Sequence, residues 1–387
     1  MKLDRLRLLD FRNYRELDLS LVESWVLLIG ANAQGKTNIL EAIAVACVGY
    51  SPRRGPDIEM IRWGQERARV SAWLTTDARG PLELEASLTA AGRELKINGA
   101  VRRLADLIGL VGLVLFTVED LDIVKRDPPA RRRFLDAELG ALSRSYYWNL
   151  ARYRRVVDQR NRLLKAIREG SGRLQELDSW DAQLVQFGAI VIEKRAGFIR
   201  SVAAHGDPAY RKLTGADDAL ELRYRPALGE EQAWARVVGG GLDSEELRRR
   251  AGERLARALC DARDRETELG MTLSGPHRDD FEIIGGGVDL HRFGSQGEQR
   301  TAAIALRLGL LRVVADTVGE PPLLLLDDVL SELDRERRRG LFEALGAAGQ
   351  MIVTATDIES IPPGVREAAR VWQVAGGAVS ALPWGLR

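Results

Sequence analysis

Gly30-Ala31-Asn32-Ala33-Gln34-Gly35-Lys36-Thr37 follows the apolar run Trp25 to Ile29 and precedes a stretch with helical character, Asn38 to Val45. The order is strand, glycine loop, helix, and the eight residues fit the pattern G-x-x-x-x-G-K-[ST]. In such a loop the glycines allow successive backbone N–H groups to turn inward on a polyphosphate. Lys36 then reaches the outer oxygens, and the Thr37 hydroxyl is placed to hold Mg2+. The stretch from Gly30 through Asn38 is therefore read as a binding site for a nucleoside triphosphate, with ATP and Mg2+ as the expected ligands.

A loop of this kind needs an acidic partner for the cation, and Leu323-Leu324-Leu325-Leu326-Asp327-Asp328 supplies one: an apolar strand ending in two carboxylates. Asp327 is the expected metal partner beside Thr37, and Asp328 the group that orients or deprotonates an attacking water. About thirty residues upstream, Ser295-Gln296-Gly297-Glu298-Gln299-Arg300 opens a helix. Ser295 with Glu298 forms a capping box, which alone accounts for both residues. Its exposed N–H groups are equally an anion site, and Gly297 and Arg300 add nothing to a cap. Downstream, Ser331-Glu332-Leu333-Asp334 gives a polar loop and a cap for the arginine-rich helix Arg335 to Leu345.

Outward from the loop, Lys2 to Leu9 and Glu16 to Leu21 alternate apolar and polar residues around the connection Asp10 to Tyr14, and read as a hairpin. Val70 to Thr75, Leu82 to Thr89 and Glu94 to Ile97, with turn signals Ala91-Gly92 and Asn98-Gly99, predict an antiparallel sheet. From Pro128 the spacing becomes helical: Phe134, Leu135, Leu139, Leu142, Tyr146, Leu150, Tyr153, Val157 and Leu164 share one period. Asp178 to Arg200 and Ser244 to Leu269, with Ser244 as cap and Gly270 as stop, predict further helices. Strand character returns at Phe281 to Ile284, Leu323 to Leu326, Met351 to Thr354 and Val371 to Val374, alternating with helices Gln299 to Thr317 and Arg335 to Leu345. That alternation predicts a mostly parallel sheet. The expected architecture is α/β: a P-loop core of parallel sheet plus antiparallel subdomain, split between residues 1–120 and 271–387, with a helical lobe inserted at 121–270.

The chain has 387 residues, 45% hydrophobic and 29% charged, ordinary for a soluble globular protein. Its longest aliphatic block is far too short to span a bilayer, and no signal-peptide pattern opens it, so a cytoplasmic protein without membrane contact is expected. Two cysteines, Cys47 and Cys260, exclude a disulfide scaffold, and no C-x-x-C pair suggests zinc. The net charge of +1 conceals an uneven layout: residues 121–170 carry 13 Lys+Arg against 6 Asp+Glu. Tyr146, Tyr147, Trp148 and Tyr153 interleave with Arg144, Arg152, Arg154 and Arg155, a pattern compatible with nucleic-acid contact, although aromatics at helical spacing also serve a core.

Four elements in this order, interrupted by a helical insertion, resemble the ATP-binding-cassette ATPases that handle chromosomes. The resemblance is closest to the RecF family. It is carried by Asp10-Phe11-Arg12-Asn13-Tyr14, Glu119-Asp120-Leu121, Arg131-Arg132-Arg133-Phe134-Leu135-Asp136, Gln159-Arg160-Asn161, Gly275-Pro276-His277-Arg278-Asp279-Asp280 and Ser295-Gln296-Gly297. The resemblance implies Walker A at Gly30 to Thr37, Walker B at Asp327, a signature motif at Ser295 and a D-loop containing Ser331 and Asp334. It also implies an ATP-dependent homodimer in which Ser295, Gly297 and Arg300 of one copy act in trans on ATP held by the other, with Arg12 and Asn13 near the nucleotide. By the same resemblance the protein binds double-stranded and single-stranded DNA, gapped DNA above all, and acts with RecR and RecO in placing RecA at single-strand gaps during repair, replication-fork recovery and the SOS response.

The chain departs from the pattern in three places. Glu298 stands where glutamine is more usual, Asp328 where many cassette ATPases carry glutamate, and threonines near Met351 to Thr356 where they carry a switch histidine. The shorter groups, Asp328 and the threonines, argue for slow hydrolysis with ATP as a timed clamp, and the resemblance implies a weak, DNA-dependent ATPase. A transporter ATPase subunit and a small-molecule P-loop kinase are the rival readings. The inserted basic lobe and the weak signature segment speak against the first, and the kinase would have no use for Ser295.

Overall fold

The computed structural model describes residues 1–53, 55–215, 217–228, 243–345 and 349–382. The described residues form two compact units, one built from residues 1–121 and 303–387 and the other from residues 122–302. The first unit contains two six-stranded sheets. One is antiparallel, in the order Tyr14–Ser20, Lys2–Phe11, Arg67–Thr76, Gly80–Thr89, Gly92–Ile97 and Ala100–Arg102. The other runs Ala378–Ala381, Arg370–Ala375, Trp25–Ile29, Met351–Ala355, Leu323–Asp327 and Leu113–Thr117, parallel throughout except for the terminal hairpin 370–381. This is the α/β architecture of an ABC-type P-loop core.

The sheets share a helix, Lys36–Val48, whose residues from Ile39 to Cys47 are all buried. A helix that is apolar on every side has no solvent face, and this one packs against strands of both sheets. It ends at Gly49, whose φ of 78° suits glycine and whose N–H bonds back to the Val45 carbonyl. The strand feeding the loop, Trp25–Ile29, and the strand ending in Asp327 are not neighbours. Met351–Ala355 lies between them and pairs with both. Leu113–Thr117, at the sheet's edge, is a strand that no period announces, because its four apolar residues, Leu113 to Phe116, follow Gly109 and Gly112 with no alternation.

The second unit holds the helices Pro128–Leu142, Arg144–Arg168, Leu177–Thr214 and Ser244–Leu269. The continuous helical spacing from Phe134 to Leu164 is in fact two helices, divided at Ser143. That residue terminates the first, and its hydroxyl caps the second by accepting from the Tyr146 amide. The helix expected to stop at Arg200 continues through Gly206 and Pro208 to Thr214, carried by buried Val202, Gly206 and Tyr210, and closes at Gly215 with φ 67°. Ser244 is the first helical residue and not the cap: Asp243 caps, accepting from the Glu246 amide.

One strand assignment needs correction. Phe281 to Ile284 is not part of the parallel sheet. It lies in Asp280–Gly285, which pairs antiparallel with Leu220–Arg225 and Val288–Asp289 in a three-stranded sheet of the second unit. Leu220–Arg225 does carry a strand signal, alternating Leu220, Leu222 and Tyr224 with Glu221, Arg223 and Arg225 between Asp217-Asp218 and Pro226, although no strand is assigned there from the sequence. In consequence the second crossing between units falls at 302/303, within the helix Gln296–Val318, and not at 270/271.

Candidate functional site

The loop Gly30 to Thr37 sits at the carboxyl end of a central parallel strand, where open α/β sheets place their ligands. Its glycines are required by geometry. A Cβ on Gly30 would lie 2.2 Å from the Val374 carbonyl oxygen. Gly35 has φ 114°, and a Cβ there would meet the Asn13 amide at 2.6 Å and the Tyr14 hydroxyl at 2.7 Å. Ala33 also adopts a left-handed conformation, with φ 64°. The first amides of the helix Lys36–Val48 have no intrahelical partners and point out of its amino end, where the helix dipole favours an anion.

Lys36 is 3% exposed and folds its ammonium back on the loop, donating to the carbonyls of Gly30 at 2.8 Å and Ala31 at 3.1 Å. Asp328 Oδ2 lies 3.8 Å from it. The Thr37 hydroxyl donates to Asp327 Oδ1 at 2.8 Å, joining residues 290 positions apart. Thr354 also donates to Asp327 Oδ1, at 3.0 Å, and its oxygen accepts from the Asp328 backbone N–H at 2.9 Å. Burial pushes the Asp327 carboxyl above its ordinary range, and the two hydroxyl donors pull it back. Asp328 occupies the left-handed region, φ 51°, and its carbonyl accepts from the Ser331 hydroxyl at 2.6 Å.

Around the loop's mouth a chain of polar side chains fixes its shape. Arg53 donates to Asn38 at 2.8 Å, Asn38 to Asn13 at 2.8 Å, and Asn13 to the Gln34 carbonyl at 3.1 Å. The Gln34 side chain in turn accepts from the Gly376 amide at 2.7 Å. Arg12, itself left-handed at φ 52°, is wholly engaged: its guanidinium grips buried Glu41 through two bonds of 2.9 and 2.7 Å and donates to the Glu59 carbonyl at 2.7 Å. Arg12 thus shapes the loop's surroundings through Glu41. Glu41 and Arg53 carry no motif signal, since their value arises only where distant segments meet, and Thr354, one of the threonines found in place of a switch histidine, has a bond to Asp327 that no spacing discloses.

The site residues of the first unit that the structure brings together are therefore Gly30 to Asn38, Asn13, Asp327 and Asp328, with Arg12 held one layer back and Ser331 on the far side of Asp328. Asp334 caps the helix Arg335–Leu345, accepting from the Arg337 amide at 2.8 Å. Ser295, Gly297 and Arg300 belong to the second unit. Ser295 caps Gln296–Val318 in a capping box: its amide and hydroxyl both donate to Glu298 Oε2 at 2.7 Å, and its oxygen accepts from the Glu298 amide at 3.3 Å. These bonds turn the Glu298 carboxylate back on its own helix start and hold it below the usual carboxylate range. Of the aromatics between 146 and 153, Tyr146 and Tyr153 are core residues, and Trp148 alone is exposed, at 46%.

The model of the RecF/RecN/SMC N-terminal domain family matches residues 2–378. A protein of Halalkalibacterium halodurans named DNA replication and repair protein RecF is 37% identical over 98% of this chain and 99% of its own length. One of the same name from Moorella thermoacetica is 35% identical over 100% and 98%. The chain belongs to the RecF family. Among solved structures it is similar to the recombination mediator protein RecF with ATP in the RecFOR pathway, at a TM-score of 0.86 and 28% identity over 99% of this chain and 98% of that one. An Smc head bound to the C-terminal winged-helix domain of ScpA matches at a TM-score of 0.55 and 13% identity, covering 100% and 98%, a likeness of fold alone. The RecF fold thus accounts for both units, and the phosphate loop lies in the unit built from the two ends of the chain.

Proposed function

We propose that this RecF-family chain is an ATP-switched DNA-binding protein of recombinational repair and replication-fork recovery. ATP binds on Gly30 to Asn38 and joins two copies, with Ser295, Gly297 and Arg300 of each closing over the triphosphate held by the other. Slow hydrolysis, with Asp328 orienting the water, releases the pair from DNA. The observation that carries this reading is the 2.8 Å bond between Thr37 and Asp327, which unites the two halves of a nucleotide site from opposite ends of the chain. The printed names of the relatives and the ATP complex of a similar RecF support it.

The residues present fit Mg2+: the Thr37 hydroxyl and the Asp327 carboxylate are hard oxygen donors, side by side and next to the Lys36 ammonium. When bound there, the cation neutralises charge on the phosphate oxygens. Lys36 leaves its two carbonyl partners for the phosphates, and Asp328, 3.8 Å from it, is freed toward the water. The surface proposed for DNA is the helix Arg144–Arg168, which exposes Arg144, Arg152, Arg154, Arg155 and Arg162 together with Trp148. Partnership with RecR and RecO follows from family membership and the RecFOR pathway named for the similar structure. No helix among the described residues is long and apolar enough to cross a membrane, which accords with a cytoplasmic role.

Sedimentation of the full chain with and without ATP, Mg2+ and gapped DNA tests the scheme. The expected outcome is a monomer that doubles in mass with ATP and binds DNA with an affinity falling steeply with salt. Asp328→Asn should bind ATP yet lose about a hundredfold or more in turnover and stay paired on DNA. A chain that binds ATP without pairing at any concentration overturns the proposal.

A further inference from the structure

We infer that Thr354 is a positioning residue for the acidic pair of the phosphate site, an inference resting on the function proposed above. Thr354 is fully buried in Met351–Ala355, the strand between the one that feeds the loop and the one that ends in Asp327. A hydroxyl offers one hydrogen and two lone pairs. The carboxylate of Asp327 can only accept, so at 3.0 Å Thr354 donates to it, and the backbone N–H of Asp328 can only donate, so at 2.9 Å Thr354 accepts from it. One hydroxyl thereby holds two consecutive acidic residues by opposite senses of hydrogen bond.

Both bonds decide orientation. Thr37 and Thr354 converge on the same oxygen of Asp327, Oδ1, which fixes the rotation of the carboxylate and leaves Oδ2 for other partners. Asp328 sits at φ 51° and ψ 16°, in the left-handed region, which aspartate enters as a single residue where its backbone groups find partners. Its N–H is anchored by Thr354 and its carbonyl by Ser331. The direction in which the Asp328 side chain leaves the backbone, toward Lys36, follows from that anchorage. Threonine suits the position because its β-branch, confined within a buried strand, restricts the rotamer that aims the hydroxyl.

Thr354→Val keeps the shape and removes the hydroxyl; Thr354→Ser keeps the hydroxyl. In the full chain, ATP affinity measured by calorimetry without Mg2+ should be unchanged within about twofold in Thr354→Val, because the loop and Lys36 are untouched. The Mg2+ concentration needed for half of the Mg2+-dependent gain in affinity should rise about tenfold, as when the outer partners of a metal site are lost. Turnover should fall about 10- to 100-fold with little change in KM. Thr354→Ser should restore both. A folded Thr354→Val with wild-type Mg2+ response and turnover overturns the assignment, as does a folded Thr354→Ser that fails to restore them. Should Thr354→Val melt out, the serine variant and Thr354→Ala, which leaves room for a water to replace the hydroxyl, carry the same readouts. Absence of any Mg2+ effect on ATP binding in the unaltered chain would instead bring down the nucleotide site itself.

Discussion

In the unit built from the two chain ends, the charges at the phosphate loop are incompletely matched: Lys36 rests on two carbonyls and Asp328 remains 31% exposed. In the inserted unit, two buried arginines are each matched by two carboxylates. Arg160, 0% exposed, pairs with Asp181 at 2.6 Å and Glu266 at 2.7 Å and donates to Thr272 at 3.0 Å. Arg195, 1% exposed, binds Asp136 at 2.7 Å, Asp279 at 3.2 Å, the Tyr146 hydroxyl at 3.0 Å and the Pro276 carbonyl at 2.6 Å. The same residue types do opposite work. Where a buried guanidinium is clasped by carboxylates of the chain, the group is structural. Where a buried cation hydrogen-bonds only to backbone oxygens, with its carboxylate 3.8 Å away, it is held ready for an anion from outside.

The largest effect that would sharpen the contrast lies in the inserted unit. Arg195→Met leaves buried Asp279 without its cation, while Asp136 keeps Arg154, and should cost about 3–5 kcal/mol in urea unfolding. ATP affinity of the folded fraction should be retained; a loss of binding with unchanged stability would break the comparison.

Next comes pH. Burial, with nearby arginines adding to it, holds His277 at about 4, below its ordinary 6.5, and it stays neutral: Nε2 donates to the Thr272 carbonyl at 3.2 Å while Nδ1 accepts from the Tyr153 hydroxyl at 2.7 Å. The folded value is the lower one, so the unfolded chain takes up the proton first. The contribution is complete above pH 6.5 and is lost as pH falls toward 4, by about 3 kcal/mol in all. Unfolding midpoints between pH 7 and 4.5 should drop more steeply in the unaltered chain than in His277→Gln; equal slopes would count against a buried neutral imidazole.

A smaller effect is expected from Lys36→Met, which should weaken ATP binding about a hundredfold, near 2.7 kcal/mol, while shifting urea unfolding far less than Arg195→Met does. A stability loss as large as that of Arg195→Met would place Lys36 among the structural charges. The smallest effect separates the two roles of Ser295. Ser295→Ala loses a cap, about 1 kcal/mol. Ser295→Asn keeps a side-chain oxygen for the cap and an N–H to donate to Glu298, yet sets a bulkier group where a phosphate is proposed, so its melting should stay close to that of the unaltered chain while ATP-dependent pairing weakens, as read by sedimentation.

The loop, the acidic strand and the antiparallel sheet were legible because each is a local pattern: a glycine spacing, an apolar run with two carboxylates, an alternation of period two. Phe281 to Ile284 misled because a strand's own residues do not name its neighbour: the alternation of Leu220–Arg225 marks a strand without saying which strand it pairs with. The ion-paired interior of the inserted unit was invisible for a related reason. Arg160 and Arg195 look like any surface arginine on a helix until helices from four parts of the chain close around them. Tyr146 and Tyr153, for which base stacking and a place in the core were both open, are core residues. Glu41 and Arg53 escaped because no spacing rule joins them to the loop, and Thr354 stood out only as a threonine in place of a switch histidine, because none links residue 354 to residues 327 and 328 across a neighbouring strand.

The strand order of the parallel sheet bears on how the protein is made. Trp25–Ile29 obtains both of its neighbours, Met351–Ala355 and Arg370–Ala375, from the far end of the chain. At about 5–20 residues per second, a ribosome needs roughly fifteen seconds to a minute to pass from residue 29 to residue 351. Throughout that interval the apolar strand has left the exit tunnel without either of its sheet neighbours, although the helix behind it can already pack on the antiparallel sheet, whose strands all lie within residues 2–102. Completion of the nucleotide core is thus a late event in biosynthesis, and the nascent chain is a natural client for holding chaperones until its final quarter emerges.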